Sequence, residues 1–146
     1  MQNNFGVFRR GDLMEKGIDE LAKTREEVDS MYLQDKSATF NTARIEALEM
    51  QNNGDSTIID VRNEDEYESG HVTNAVWIPV DEIVQRMEEL PSEGNLLFIC
   101  AVGARSGLAA EYASSLGIDS SRLFNIEDGT PTWISKGLPT SNGQDK

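Results

Sequence analysis

A single cysteine, Cys100, and a single histidine, His71, are all this 146-residue chain holds of the side chains that most often bind zinc. A structural zinc site takes four such ligands, so no metal is expected, and one cysteine cannot close an internal disulfide. Doing without disulfides is the habit of reducing compartments, and a cytoplasmic location is expected. Positive charge is also scarce: 13 Lys and Arg face 26 Asp and Glu, for a net charge of −13. Phosphate contacts need clustered basic residues, so nucleic acid is not an expected partner. No apolar run approaches the roughly 20 residues of a membrane span, and residues 1–10 lack the apolar core of a secretory signal. No internal repeat or low-complexity tract stands out.

What the chain does have is 38% hydrophobic and 27% charged residues, the balance of a soluble domain with extra chain attached. From about residue 40 onward, short apolar runs alternate with helical patterns. Strands are expected at Thr57–Val61, Ala75–Ile78, Leu96–Cys100 and Leu123–Ile126. Helices are expected at Thr42–Gln51 with Asn41 as N-cap, at Asp81–Leu90, at Arg105–Leu116 and near Pro131–Lys136. Gly54 and Gly117 stand where helices should stop. Leu108, Ala109, Tyr112, Ala113 and Leu116 form an apolar stripe at helical spacing. This alternation predicts an α/β fold: a central, mostly parallel sheet of four to five strands flanked by helices. Residues 1–37 read as a separate helical extension, with a capping-box pair at Asp12 and Glu15 and an apolar stripe through Leu13, Ile18, Leu21, Val28 and Met31. That stripe needs a surface, either the chain's own body or a second copy in a homodimer. Residues 141–146 are polar and expected to form a flexible tail.

The most informative stretch is Cys100-Ala101-Val102-Gly103-Ala104-Arg105. It follows the apolar run Leu96–Ile99 and leads into a helix. A cysteine beside Phe98 and Ile99 is commonly an inert small hydrophobe. A short loop of small residues opening a helix is different, because backbone N–H groups and the helix dipole then favour negative charge on the sulfur. Such surroundings populate a reactive thiolate, which makes Cys100 a candidate nucleophile.

Residues 58–72, Ile-Ile-Asp-Val-Arg-Asn-Glu-Asp-Glu-Tyr-Glu-Ser-Gly-His-Val, resemble the signature segment of the rhodanese-like domain family. The cysteine loop follows at that family's distance. Residues 123–133, with Gly137-Leu138-Pro139, are similar to its closing segment. The resemblance covers about residues 38–140. It implies a sulfurtransferase that carries sulfane sulfur as a persulfide on Cys100 and passes it to an external acceptor: cyanide, a thiol or a protein. No cofactor is implied. Ala101, Val102, Gly103, Ala104 and Arg105 would form the active loop, with Asp60, Arg62, Glu66 and His71 supporting it. Glu66 would pair with an arginine, and His71 would be structural. Trp133 reads as core.

The resemblance also discriminates between chemistries. Related phosphatases and arsenate reductases use a loop one residue longer, wide enough for a tetrahedral oxyanion. Four residues separate Cys100 from Arg105 here, so sulfur transfer is favoured over those activities, and a non-catalytic or slow sulfur-relay or protein-binding module stays open as the alternative. Three departures from the family pattern follow. Ala101 stands where thiosulfate-using members carry a basic residue, so weak thiosulfate binding is expected. Asn74 replaces a glycine, a change that a left-handed turn tolerates. Asp128 replaces the first glycine of a pair.

Overall fold

Four apolar runs and a short edge segment assemble one parallel sheet. The structure, a computed structural model, describes residues 41–43 and 46–146; the expected helical extension at 1–37 lies outside them. In chain order the elements are β1 (Asn41–Ala43), α1 (Glu46–Asn52), β2 (Ser56–Asp60), α2 (Glu64–Ser69), β3 (His71–Val72), β4 (Val76–Trp77), β5 (Asn95–Ile99), α3 (Ala104–Ser115), β6 (Leu123–Ile126), α4 (Gly129–Ser135) and β7 (Thr140–Ser141). The sheet order is β1-β6-β5-β2-β4, with every pairing parallel. β3 and β7 form a separate antiparallel pair.

The central strands carry continuous apolar runs because both of their faces are covered. On one face Ile59, Leu96 and Phe98 pack with Leu108, Ala109 and Tyr112 of α3. On the other, Ile58, Leu97 and Ile99 pack with Ala47 of α1 and Trp133 of α4. Each fully buried aliphatic or aromatic side chain contributes about 1.5–3 kcal/mol relative to exposure. In a parallel sheet all strand ends of one polarity lie along one edge, and ligands bind outside the carboxyl ends. That edge carries Val61-Arg62 after β2, Cys100 after β5 and Glu127-Asp128 after β6.

Several expectations need correction. The helix expected over Thr42–Gln51 begins at Glu46, and Asn41 lies in a strand instead of capping it. Asn41–Ala43 satisfies its backbone along the free side of β6, pairing Asn41 with Phe124 and Ala43 with Ile126. The helix expected at Asp81–Leu90 is a chain of turns with 3₁₀ segments at Val80–Glu82 and Met87–Glu89. β-branched Ile83 and Val84 weaken helical preference, and Pro91 pushes Leu90 to an extended backbone with ψ 141°. Leu116, expected in the buried stripe, is 49% exposed because α3 has ended before it. Residues 141–146, expected as a flexible tail, make contacts with the body: the Gly143 N–H donates to the Glu68 carbonyl at 2.8 Å, and the Asp145 carbonyl meets His71.

Candidate active site

Cys100 sits immediately past β5, at the tip of a strand whose last four residues are buried. Gly103 caps α3 with φ 93°, a left-handed conformation that only glycine takes without cost. This turn aims the Gly103 N–H at Sγ, 3.1 Å away. Behind it α3 runs for 12 residues, long enough for its N-terminal partial charge to act on the sulfur. The Ser106 hydroxyl, in the first turn, lies 3.3 Å from Sγ. The same hydroxyl donates to Asn125 Oδ1 on β6, and Asn125 Nδ2 donates to the Gly103 carbonyl at 3.0 Å.

Two sequence expectations are narrowed by this geometry. The sulfur receives one loop amide, that of Gly103, and not a full ring from residues 101–105. Cys100 is also fully buried, packed among apolar residues, with Ala101 and Val102 as the partly exposed rim of the loop.

Arg105 is buried and paired within the protein. Its guanidinium forks onto Glu66, Nη1 to Oε1 at 2.7 Å and Nη2 to Oε2 at 3.0 Å. Glu66 Oε1 also accepts from the Asn63 N–H, closing the capping box of α2. Glu66 therefore joins the signature segment to the cysteine loop. Arg62 is engaged elsewhere: it forks onto Asp60, with Nη2 at 2.7 Å from Oδ2, and donates to the Gly70 carbonyl at 2.8 Å. Asp60 and Arg62 thus hold the turn between β2 and β3, one element removed from the sulfur. The backbone relays their order, because the Val61 N–H donates to the Ile99 carbonyl at 3.0 Å, directly before Cys100. His71 stacks on Tyr67 with ring centroids 3.7 Å apart, and its Nδ1 lies 2.8 Å from the Tyr67 carbonyl. Its other ring nitrogen, Nε2, meets the Asp145 carbonyl. Burial, and then the Asp60 charge, raise the Tyr67 phenol above its ordinary value. Trp133 is buried, its indole donating to the Pro139 carbonyl at 2.8 Å.

Asn74 adopts φ 71°, the left-handed turn expected of it. Asp128 takes an ordinary right-handed backbone, φ −70° and ψ −24°, so no glycine is required there. Its neighbour Gly129 is the constrained position. At φ 78°, a Cβ would lie 2.0 Å from the Ala101 carbonyl oxygen. The Thr130 N–H donates to the Cys100 carbonyl at 2.8 Å, so α4 closes against the base of the loop. Sequence reasoning passed over Ser106, Asn125 and Gly129. Asn125 carried a usable signal, being a carboxamide in mid-strand between Phe124 and Ile126.

Comparison with known proteins supplies the lineage. The Rhodanese-like domain family matches residues 44–136. A sulfurtransferase of Allochromatium vinosum is 32% identical over 85 residues, 58% of this chain and 78% of that protein. An HTH-type transcriptional regulator of Mycobacterium tuberculosis is 33% identical over 101 residues, 68% of this chain. The match spans less than half of that regulator, 44% of its length. The crystal structure of a rhodanese-related protein from Thermoplasma volcanium superposes with a TM-score of 0.61 at 29% identity, covering 70% of this chain and 98% of that one. The N-terminal part matches something else: residues 1–61 fit the family described as fumarate reductase flavoprotein C-term. The succinate dehydrogenase flavoprotein subunit of Coxiella burnetii is 48% identical over 52 residues, 36% of this chain but 9% of that protein. The two family matches overlap at residues 44–61, across α1 and β2. With that family's model matching residues 44–136, well over half of the sequence, the chain belongs to the rhodanese-like domain family.

Proposed function

We propose that the chain transfers sulfane sulfur through a persulfide on Cys100. The Cys100 thiolate attacks the outer sulfur of a donor, a new S–S bond forms, and the donor's own bond to that sulfur breaks. The donor departs with the electron pair, as sulfite from thiosulfate or as a thiolate from a persulfide. An acceptor then attacks the outer sulfur of Cys100–S–S⁻ and the thiolate is regenerated. Cyanide becomes thiocyanate; a thiol, small or on a protein, becomes a persulfide and releases its proton to solvent. The observation that carries this reading is the Gly103 N–H aimed at Sγ from the head of α3, within a loop of four residues between Cys and Arg. Relatives named as sulfurtransferases support it.

The donor we propose is a persulfide, free or carried by a protein, in preference to thiosulfate. Arg105 is committed to Glu66, and Ala101 offers no charge, so a dianion gains little inside the loop. The setting proposed is a reducing cytoplasm; among the described residues no helix is long and apolar enough to cross a membrane. Residues 1–37 are proposed as the contact for a protein acceptor or for a second copy.

One observation favours a second reading, a relay or binding module with slow turnover: Cys100 is fully buried. Steady-state kinetics separate the two. A sulfurtransferase gives thiocyanate from a small persulfide and cyanide at a rate that saturates with donor and vanishes in Cys100→Ala. A relay module gives stoichiometric loading of Cys100 and negligible turnover.

A further inference from the structure

Gly103, Ser106 and Asn125 close a ring of hydrogen bonds through the sulfur, and the serine hydroxyl in that ring has one proton for two acceptors. Following the ring, the Gly103 N–H donates to Sγ at 3.1 Å and the Gly103 carbonyl accepts from Asn125 Nδ2 at 3.0 Å. Asn125 Oδ1 accepts from the Ser106 hydroxyl, whose oxygen is 3.3 Å from Sγ. All four residues are buried. Asn125 Nδ2 lies over Gly107, where a Cβ would stand 3.4 Å from it, so the glycine leaves the carboxamide its place.

We propose that Ser106 and Asn125 are positioning residues for Cys100, the serine hydroxyl turning between the carboxamide and the sulfur as the charge on sulfur changes. With a neutral thiol, S–H donates to Ser106 Oγ and the hydroxyl donates on to Asn125. With an anionic sulfur the hydroxyl proton swings to Sγ, giving it a second donor beside the Gly103 N–H. Asn125 Nδ2 stays on the Gly103 carbonyl in both states and keeps that peptide facing the sulfur. The bare thiolate is stabilised by one added charge-assisted hydrogen bond, released as the sulfur is consumed. This inference rests on the sulfur-transfer reading for its kinetic consequence, though not for its geometry.

The full-length chain is compared with Ser106→Ala, Ser106→Thr, Asn125→Ala and the double variant Ser106→Ala/Asn125→Ala. A small persulfide serves as donor and cyanide as acceptor, and alkylation of Cys100 by iodoacetamide is timed separately at fixed pH. Ser106→Ala is expected to lower kcat and the alkylation rate about tenfold with KM little changed, the size of one hydrogen bond to a charged group. Ser106→Thr restores both to within about threefold. The double variant falls no further than Asn125→Ala alone, because the two residues act as a unit. Thermal melts confirm folding, and alkylation reads the ring even where turnover is too slow to measure. Wild-type rates in Ser106→Ala, failure of threonine to rescue, or additive losses in the double variant would overturn the proposal. Should wild type take up no sulfur while the alkylation pattern holds, the ring stands and the sulfur-transfer reading falls.

Discussion

Glu66 serves two elements at once, and its loss should be felt at both. It pairs with the buried Arg105 guanidinium and caps α2 through the Asn63 N–H. Glu66→Gln keeps the shape but leaves a buried cation facing a neutral amide. Breaking a buried pair from one side costs about 3 kcal/mol, so urea midpoints should fall accordingly with an unchanged m-value. Two buried phenols contribute to stability against alkali. Burial and then the Asp81 charge raise Tyr112, and burial and then Asp60 raise Tyr67. Both stay protonated in the folded chain after an unfolded tyrosine has ionised, so the native state holds more protons. Their stabilisation is present below pH ~10 and is lost as pH rises through the raised values. Melts taken from pH 8 to 11 should show falling stability above about 10, and Tyr112→Phe should flatten that slope. At this scale the sequence was legible for the pairing of Glu66 with an arginine and for the left-handed turn at Asn74. For Asp60 and Arg62 the resemblance implied an ion-pair scaffold, while nothing in the linear order says that the Arg62 fork also closes on Gly70.

The loop is built by elements that close on it from two sides, and α4 closes most tightly. Gly129→Ala would drive a Cβ into the Ala101 carbonyl and force φ 78° on an alanine. The expected result is a displaced loop, at least a tenfold loss of sulfur transfer and a thermal midpoint several degrees lower, since strain of this kind costs about 1–3 kcal/mol. Circular dichroism melts and thiocyanate release check the two effects separately. The long elements were readable because β2, β5 and β6 are apolar runs and α3 has a helical stripe. The short ones were not. α2 is six residues of mostly charged sequence held by its capping box and Tyr67, and β3 and β7 are two residues each. Their existence is decided by tertiary partners such as the Glu68 and Pro139 carbonyls, which a local pattern cannot supply.

The whole molecule carries a net charge of −13, and that field acts on any charged donor. Thiosulfate is repelled, while an uncharged persulfide is indifferent. Raising ionic strength from about 0.02 to 0.2 M shortens the screening length severalfold. The specificity constant for thiosulfate should therefore rise with salt, and that for a neutral donor should stay flat. Equal salt responses for the two donors would remove charge as the source of donor preference. The division of the chain was the least legible feature at this scale. A boundary near residue 38 follows from the cysteine-domain landmarks, yet the flavoprotein-like match runs to residue 61, through the first helix and the strand after it.

The central claim is that the sulfur of Cys100 accepts and holds a second sulfur. Intact mass spectrometry after incubation with a small persulfide tests it most directly. The wild-type chain should gain the mass of one sulfur atom, lose it on addition of cyanide, and show no gain in Cys100→Ala. An unchanged mass in a folded wild-type chain, or an equal gain in the alanine variant, would contradict it.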